Sequence, residues 1–359
     1  MTKIRFVRRL ESCPGWTRTA ALVLAAGLGA LACGGPPAVE PTHGALTPPS
    51  LPPSMAGPKD PPRPPAGPSP DVTRGLTLLE SNDLAGARRA FEAALSRNAS
   101  DPDAHVYLGS LDERGGDRAS AEKHYRAALV ATPDHEGGAV NLSALLLDAG
   151  KLDESISLAR GALATRPGSA SLHTNLGVAL AAKGDEAEAT RHLEEAVRLA
   201  PKDPMPLLTL GQWLGKWKKN DAAKARFQQA DKLSGDDVGV LASIGFELKN
   251  IGAFPECIAV LDRTLAKRDA AEIRTYRALC KLGAQDKAGA LADLETAVRK
   301  EPKYGPAHFY LGGRYAEAGR WKDVVSEYEI YLKLDSDGPL RKAAEDRIKI
   351  AREKLAKKK

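Results

Sequence analysis

PDAHVYLGSLDERGGDRASAEKHYRAALVATPDH, residues 102–135, reads as helix, turn, helix, turn. Leu108 and Leu111, then Tyr125 and Leu129, fall at helical spacing around small residues. Gly115-Gly116-Asp117 interrupts the pattern, because glycine tolerates the positive φ that ends a helix and Asp caps the next one. Thr132-Pro133-Asp134 ends the second helix, since proline lacks the N–H that a helix interior needs. Outward from this stretch the same order returns. Gly75, Gly109, Ser143, Gly177 and Gly211 recur every 34 positions, and steps of 33 or 34 then lead through Gly245 to Ala278 and Gly312. A second column is Ala87, Ala121, Ser155, Ala189, Ala223, Cys257, Ala290 and Val324. The mid-repeat glycine returns at Gly150, Gly184, Gly252 and Gly319, and the closing proline at Pro167, Pro201 and Pro302. Such a period means stacked repeats, each burying its apolar face on the next. Small residues at the columns let helix axes approach closely.

These residues resemble the tetratricopeptide repeat. That family's pattern has Leu-Gly in helix A, Ala near the start of helix B, a bulky residue four later, another Ala and then Pro. Leu108-Gly109, Ala121, Tyr125, Ala128 and Pro133 meet every position, and Leu176-Gly177, Ala189, Leu193, Ala196 and Pro201 do nearly as well. Eight units are counted, at 68–101, 102–135, 136–169, 170–203, 204–237, 238–270, 271–304 and 305–338. The sixth is one residue short, and the seventh has Arg277-Ala278 in place of Leu-Gly; the closing proline is missing from some units, the first and sixth among them. The resemblance implies an all-α fold, a right-handed superhelical solenoid over residues 71–338 with each helix A on the concave face. After it, residues 339–359 read as one more helix. Pro339 suits its first turn, and Leu340, Ala343, Ala344, Ile348, Ala351 and Leu355 give it an apolar stripe. A solenoid needs such a cap on its last open face.

Residues 1–32 read as a signal peptide. Lys3, Arg5, Arg8, Arg9 and Arg18 precede an apolar run over 19–32, too short to span a bilayer as a helix. The run ends in Gly29-Ala30-Leu31-Ala32-Cys33-Gly34, which resembles the lipobox of bacterial lipoproteins, with Ala30 where Leu is usual. Ala30 and Ala32 also suit an ordinary signal peptidase. The lipobox resemblance implies that Cys33 is acylated, with Gly34 favouring the outer membrane. Several acyl chains, at about 0.8 kcal/mol per buried methylene, make a stable anchor. The segment 33–70 is then a proline-rich tether, reaching on the order of 100 Å as polyproline II. Its PxxP spacing also suits an aromatic groove; the spacer is the preferred reading.

The formal net charge of +6 sits at the ends. Residues 1–32 carry five Lys/Arg and one Glu, the tail 339–359 carries nine Lys/Arg and three acids, and the repeat body is left at −4. A body tracking nucleic acid is therefore not supported. Cys257 and Cys280 fall in helices expected to stack, leaving two readings open: buried free thiols, or a pair in an oxidising periplasm. His105, His173 and His308 share one repeat position and so follow the architecture. His135-Glu136 has no second His at zincin spacing, and no phosphate loop, serine elbow or CxxC is present. No catalytic residue, metal ligand or cofactor is expected.

The resemblance places repeat positions 5, 6 and 9 on the concave face. Position 5 and position 9 are mostly apolar, without the Lys and Arg of a carboxylate clamp. Position 6 offers Tyr107, Asn141, Asn175, Thr209 and Ser243. A partner-binding groove is expected across repeats two to five, formed by Val106, Tyr107, Val140, Asn141, Thr174, Asn175, Val178, Leu208 and Gln212. It would hold an extended, fairly apolar protein segment, with the Asn amides bonding its backbone; the other reading has Asn as ordinary family usage. Trp213, Lys216, Trp217, Lys218 and Lys219 form a candidate hot spot, with core packing preferred for Trp213. Together these features describe a scaffold that is lipid-anchored in the bacterial envelope, on the periplasmic side of the outer membrane. It would bind proteins within a pilus, secretion, motility or cell-wall machine. Two alternatives are a pilotin-like secretin assembly factor, of a kind typically shorter and without such a tether, and a cytosolic regulatory adaptor.

Overall fold

In a computed structural model the described residues are 67–335 and 338–357; the signal peptide, Cys33 and nearly all of the tether lie outside them. The described residues form seventeen α-helices and no strand. Helices A and B alternate through eight repeats: α1 (Pro70–Glu80) and α2 (Leu84–Arg97), α3 (Pro102–Gly115) and α4 (Arg118–Ala131), α5 (Glu136–Asp148) and α6 (Leu152–Thr165), α7 (Ala170–Lys183) and α8 (Glu186–Leu199). They continue as α9 (Pro204–Lys216) and α10 (Asn220–Ser234), α11 (Val238–Asn250) and α12 (Phe254–Lys267), α13 (Ala271–Gly283) and α14 (Lys287–Lys300), α15 (Gly305–Glu317) and α16 (Trp321–Leu334). A final helix, α17 (Arg341–Ala356), follows. None of the described helices is long and apolar enough to cross a membrane.

Local chemistry sets each boundary. The side chains of Asp101, Asp117, Ser169, Asp185, Asp203 and Asp237 accept backbone N–H bonds at helix N-termini. Gly116 and Gly184 close helices A at φ of 87° and 89°. Three repeats lack that glycine, and their turns place Asn82, Lys218 and Gln285 at φ of 61°, 63° and 67°, where a Cβ is disfavoured by about 1–2 kcal/mol. Pro339 stands two residues before α17 rather than in its first turn, and Leu340 is the N-cap.

The chain divides into two compact units, one running to Ala149 and one from Gly150. In the first, Val72, Leu79, Phe91, Leu108 and Leu111 form the core. In the second, one cluster surrounds Phe227, Ile244 and Leu261, and another surrounds Leu294, Tyr328 and Ile348. Each such side chain, fully buried, contributes roughly 1.5–3 kcal/mol. Ala344, Ile348 and Ala351 of α17 are buried in the last cluster, so this helix does close the stack.

The small column is the contact between helices A and B of one repeat. A Cβ on Gly109 would lie 2.6 Å from the Tyr125 ring, and one on Gly177 would lie 2.7 Å from Leu193 Cγ. The partner comes sixteen residues later each time. Where the column carries Ala278, the residue sixteen later is Leu294, a leucine as at Leu193 and Leu261 and not an aromatic ring as at Phe91, Tyr125, Phe227 and Tyr328.

The departures in repeat seven have partners too. Arg277, in the position of a core Leu, donates from Nε to Asp293 Oδ2 at 2.8 Å and from Nη1 to Asp262 Oδ1 at 2.7 Å. Lys281 Nζ reaches the same Asp293 at 2.9 Å. Burial alone would raise the Asp293 carboxyl, but Arg277 and Lys281 hold it below its ordinary value. Cys257 of α12 and Cys280 of α13 form a disulfide across a Cα–Cα distance of 6.2 Å, within the span such a bond bridges.

Candidate protein-binding surface

The nine groove residues divide between the two units. In the first, Val106 is buried, and the Tyr107 ring stacks on Phe91 with centroids 5.1 Å apart. Burial raises the Tyr107 hydroxyl above its usual value, so it remains a neutral donor. Val140 and Asn141 are half-buried on α5. Asn141 hydrogen-bonds the Tyr125 hydroxyl, which itself donates to Glu113 Oε2 at 2.9 Å. The Asn141 amide is thus held in place by a neighbouring repeat, which fixes its orientation and uses part of its bonding capacity.

In the second unit, Thr174 donates to the Ala170 carbonyl at 2.9 Å, one turn back on its own helix. Asn175 and Val178 are half-buried, and Leu208 is buried in the core cluster that Val178 packs against. Gln212 donates to Glu247 Oε1 at 3.2 Å. Burial raises the Glu247 carboxyl, against hydrogen bonds from Asn250 and Gln212 and the charges of Lys216 and Lys249. This strip of α7, α9 and α11 is therefore apolar, with amide and carboxyl groups at its edge.

The Trp213 and Trp217 rings lie 5.9 Å apart and both pack against the core cluster. Lys216 sits over the Trp213 ring at 4.0 Å, and burial lowers its ammonium below the usual range. Lys219 pairs with Glu186, and Lys218 is the positive-φ residue of the turn. Indole, cation and turn thus form one patch, anchored from beneath by the core.

The shared histidine position is a polar link between helices A and B. His105, His173 and His308 each bond, through Nε2, a carbonyl six residues earlier. Each meets the residue nineteen later. His105 and His124 bring their Nδ1 atoms to 2.9 Å, as do His173 and His192, whereas His308 Nδ1 meets Glu327 Oε2 at 2.7 Å. Within a His–His pair one nitrogen must accept, so both rings cannot be charged. A cavity of about 290 Å³, bordered by Arg160, His173, Glu188, Arg191 and His192, adjoins one pair. Among the described residues no group of His, Cys, Asp or Glu could hold a metal ion.

Sequence reasoning missed the change of character after repeat five. Phe246, Tyr276 and Tyr310 of α11, α13 and α15 present half-buried rings. The signal was legible: position 6 turns from amide and hydroxyl side chains to Tyr276 and Tyr310 in repeats seven and eight.

Comparison with known proteins gives the same fold. Cellulose synthase operon protein C of Xanthomonas axonopodis pv. citri is 27% identical over 274 residues, covering 74% of this chain but 16% of that protein. Protein FlbA of Caulobacter vibrioides is 33% identical over 122 residues, covering 34% of this chain and 20% of its own length. The chain thus spans at most a fifth of the length of these curated relatives. Yeast Tom70 superposes with a TM-score of 0.55 at 16% identity, over 80% of this chain and 64% of that one. Cut9 in its complex with Hcn1 gives 0.51 at 13% identity, over 78% and 55%. At these identities the two structures establish the fold alone. The sequence model of the tetratricopeptide repeat matches residues 72–136, 141–204 and 277–339, more than half of the chain. With that match and the helix pairs above, the chain belongs to the tetratricopeptide repeat family and has the fold of a protein–protein interaction scaffold.

Proposed function

We propose that this chain is a lipid-anchored scaffold of the bacterial envelope. Cys33 carries the anchor at the periplasmic side of the outer membrane, and the proline-rich tether holds the repeats away from it. The helix A faces of each unit bind extended, fairly apolar segments of other proteins during assembly of an envelope machine. The observation carrying this reading is the order of features: basic residues, the apolar run 19–32, Ala30-Leu31-Ala32-Cys33, prolines, then repeats. The Cys257–Cys280 bond supports it, because disulfides persist in oxidising compartments such as the periplasm. The curated relatives, a cellulose synthase operon protein and FlbA, are bacterial proteins, in keeping with a bacterial setting. No observation favours the pilotin-like or cytosolic alternatives over this one.

The test is Cys33→Ala in the native host. The wild-type protein should fractionate with outer membranes and incorporate labelled palmitate, and the variant should do neither. A variant that stays with the membranes, or a wild type without label, would refute the anchor.

A further inference from the structure

Two tyrosines of repeat eight show how this fold holds a guanidinium. Tyr315 donates to Glu295 Oε1 at 3.2 Å, and the Arg320 guanidinium lies over its ring at 3.9 Å. Arg347 of α17 lies 5.1 Å from the Phe309 ring and 5.7 Å from the Tyr328 ring, and its Nη1 donates to the Tyr328 hydroxyl at 2.6 Å. The same chemistry explains both. An aromatic face attracts a cation, and a guanidinium stacks on it while its N–H groups seek acceptors at the ring edge.

A third group of this kind stands on the helix A faces of repeats seven and eight. Helix α13 packs on α15. Tyr276 of α13 donates to Glu272 Oε1 at 3.4 Å, as Tyr315 does to Glu295. Tyr304, the N-cap of α15, brings its hydroxyl within electrostatic reach of Tyr276, Glu272 and Tyr310. The three rings are half-buried, and burial raises each hydroxyl above its ordinary value, so all three are neutral. Among the described residues no cation lies over these rings, and the Tyr304 and Tyr310 hydroxyls have no hydrogen-bond partner. Every fully buried polar side-chain atom described does have one, so these two hydroxyls open on solvent.

Charge favours a cation at this place. Glu272 is exposed and pairs with no cation among the described residues. Glu301, also exposed, acts on Tyr304 as well, and its Oε1 accepts from the Ala271 N–H at 2.8 Å. Lys303, exposed beside Tyr304 in the chain, offsets one of these two carboxylates and leaves the other. Lys249 lies over Phe246, whose ring meets Tyr276 edge to face, but its charge is drawn to Glu247 of its own helix. The basic side chains of α13 and α15 are engaged elsewhere: Arg274 by Asp269, Arg277 and Lys281 by Asp293, Arg314 by Glu317 and His308 by Glu327.

We propose that Tyr276, Tyr304, Tyr310 and Glu272 receive an arginine side chain from an extended segment of a partner protein. The guanidinium lies against the rings, with the Glu272 carboxylate and the Tyr304 and Tyr310 hydroxyl oxygens as its acceptors. Such a side chain has five N–H donors and no acceptor, which matches what these groups leave open. The inference rests on the reading of the helix A faces as surfaces for protein segments. It does not depend on the lipid anchor or on the groove residues of repeats two to five.

The test is an NMR titration of the full-length protein, isotope-labelled at the tyrosine rings. The probes are the capped peptide Val-Ala-Arg-Ala-Val and its analogues with Lys, Met or Glu at the centre. The Arg peptide should shift the Tyr276, Tyr304 and Tyr310 signals saturably and bind at least about tenfold more tightly than the Met peptide. The Lys peptide should fall between them, the Glu peptide should be weakest, and added salt should narrow the gap. Glu272→Gln and, separately, Tyr276→Leu should each lower the ratio of Arg to Met affinity at least about threefold; taken on one variant, that ratio cancels any loss of folded protein. Arg and Met peptides that bind alike overturn the cation site while leaving the helix A face a peptide surface. Shifts confined to other tyrosines, or no saturable shift, overturn both for these repeats and leave the Cys33 anchor untouched. A Lys peptide as tight as the Arg peptide, or a ratio unchanged in both variants, overturns the guanidinium assignment.

Discussion

Gly211→Ala should destabilise the protein, although Ala is the better helix former. Gly211 lies in α9 and faces Phe227 of α10, which is fully buried. A Cβ there would stand 2.8 Å from Phe227 Cδ1 and 2.9 Å from its Cζ, with Cε1 closer still. Carbon pairs prefer about 3.5–4.0 Å, so the ring must retreat by about 1 Å into a packed core. Such overpacking costs about 1–3 kcal/mol, and the close approach argues for the upper end. Replacing Gly in a helix interior returns about 1 kcal/mol, leaving a net loss of about 2 kcal/mol. Gly161, in α6, is the control, because it is exposed and a Cβ there meets nothing within 4 Å. Gly161→Ala should stabilise by about 1 kcal/mol. Adding Phe227→Leu to Gly211→Ala recreates the Ala278–Leu294 solution of repeat seven, and the pair should couple favourably by about 1–2 kcal/mol. Urea unfolding followed by far-UV circular dichroism reads the global change, and Trp213 of the same helix and Trp217 at its C-cap report locally by fluorescence. Stacked repeats need not unfold in one step, so both signals are compared. A Gly211→Ala protein as stable as wild type, or a double variant no better than the sum of its parts, would refute the packing argument.

Reducing the Cys257–Cys280 bond, which joins residues 23 apart, should cost about 3 kcal/mol by loop entropy. Dithiothreitol should therefore lower the urea midpoint of wild type but leave the Cys257→Ala, Cys280→Ala variant unmoved. The histidine pairs should respond to pH with opposite signs. Burial opposes charge on His308, but Glu327 and the Pro302 carbonyl outweigh it and raise its value above 6.5. Its stabilisation is complete below that value and is lost as pH rises through the raised one. Burial, together with their His and Arg neighbours, lowers His124 and His192, so their stabilisation is present above 6.5 and is lost as pH falls through the lowered values. Melting temperatures across this range should show His308→Gln removing the loss on the alkaline side and His124→Gln with His192→Gln removing the loss on the acid side; unchanged profiles would contradict the assignments. Asn141→Ala and Asn175→Ala, made separately and together, should weaken capture of the partner segment; unchanged binding in the double variant would remove these amides from the surface. Asn141→Ala should also lower stability by about 1 kcal/mol through its lost bond to Tyr125.

The repeats were legible because their signals are local and recur in step. Gly116, Pro133 and the Asp and Ser caps act within a few residues of themselves, and eight copies of one pattern leave few competing readings. The surface was less legible. Asn141 reads as an exposed amide from its own helix, yet it bonds Tyr125 of the preceding repeat. Core packing is the preferred sequence reading for Trp213, and Trp217, which reads as part of a contact patch, rests on the same core.

By itself, the amino-acid sequence determined the helices, their turns, their pairing at the small column and the family, because periodicity, caps and chain breakers are short-range properties of the backbone. Only the tertiary structure decided which side chain each column residue meets. Arg277 holds Asp293 and Asp262, His308 meets a carboxylate where His105 and His173 meet imidazoles, the two buried cysteines join, and Phe246 reaches Tyr276. Those partners arrive from fifteen to thirty residues away. The stacking of helices places them side by side, and no local propensity encodes that.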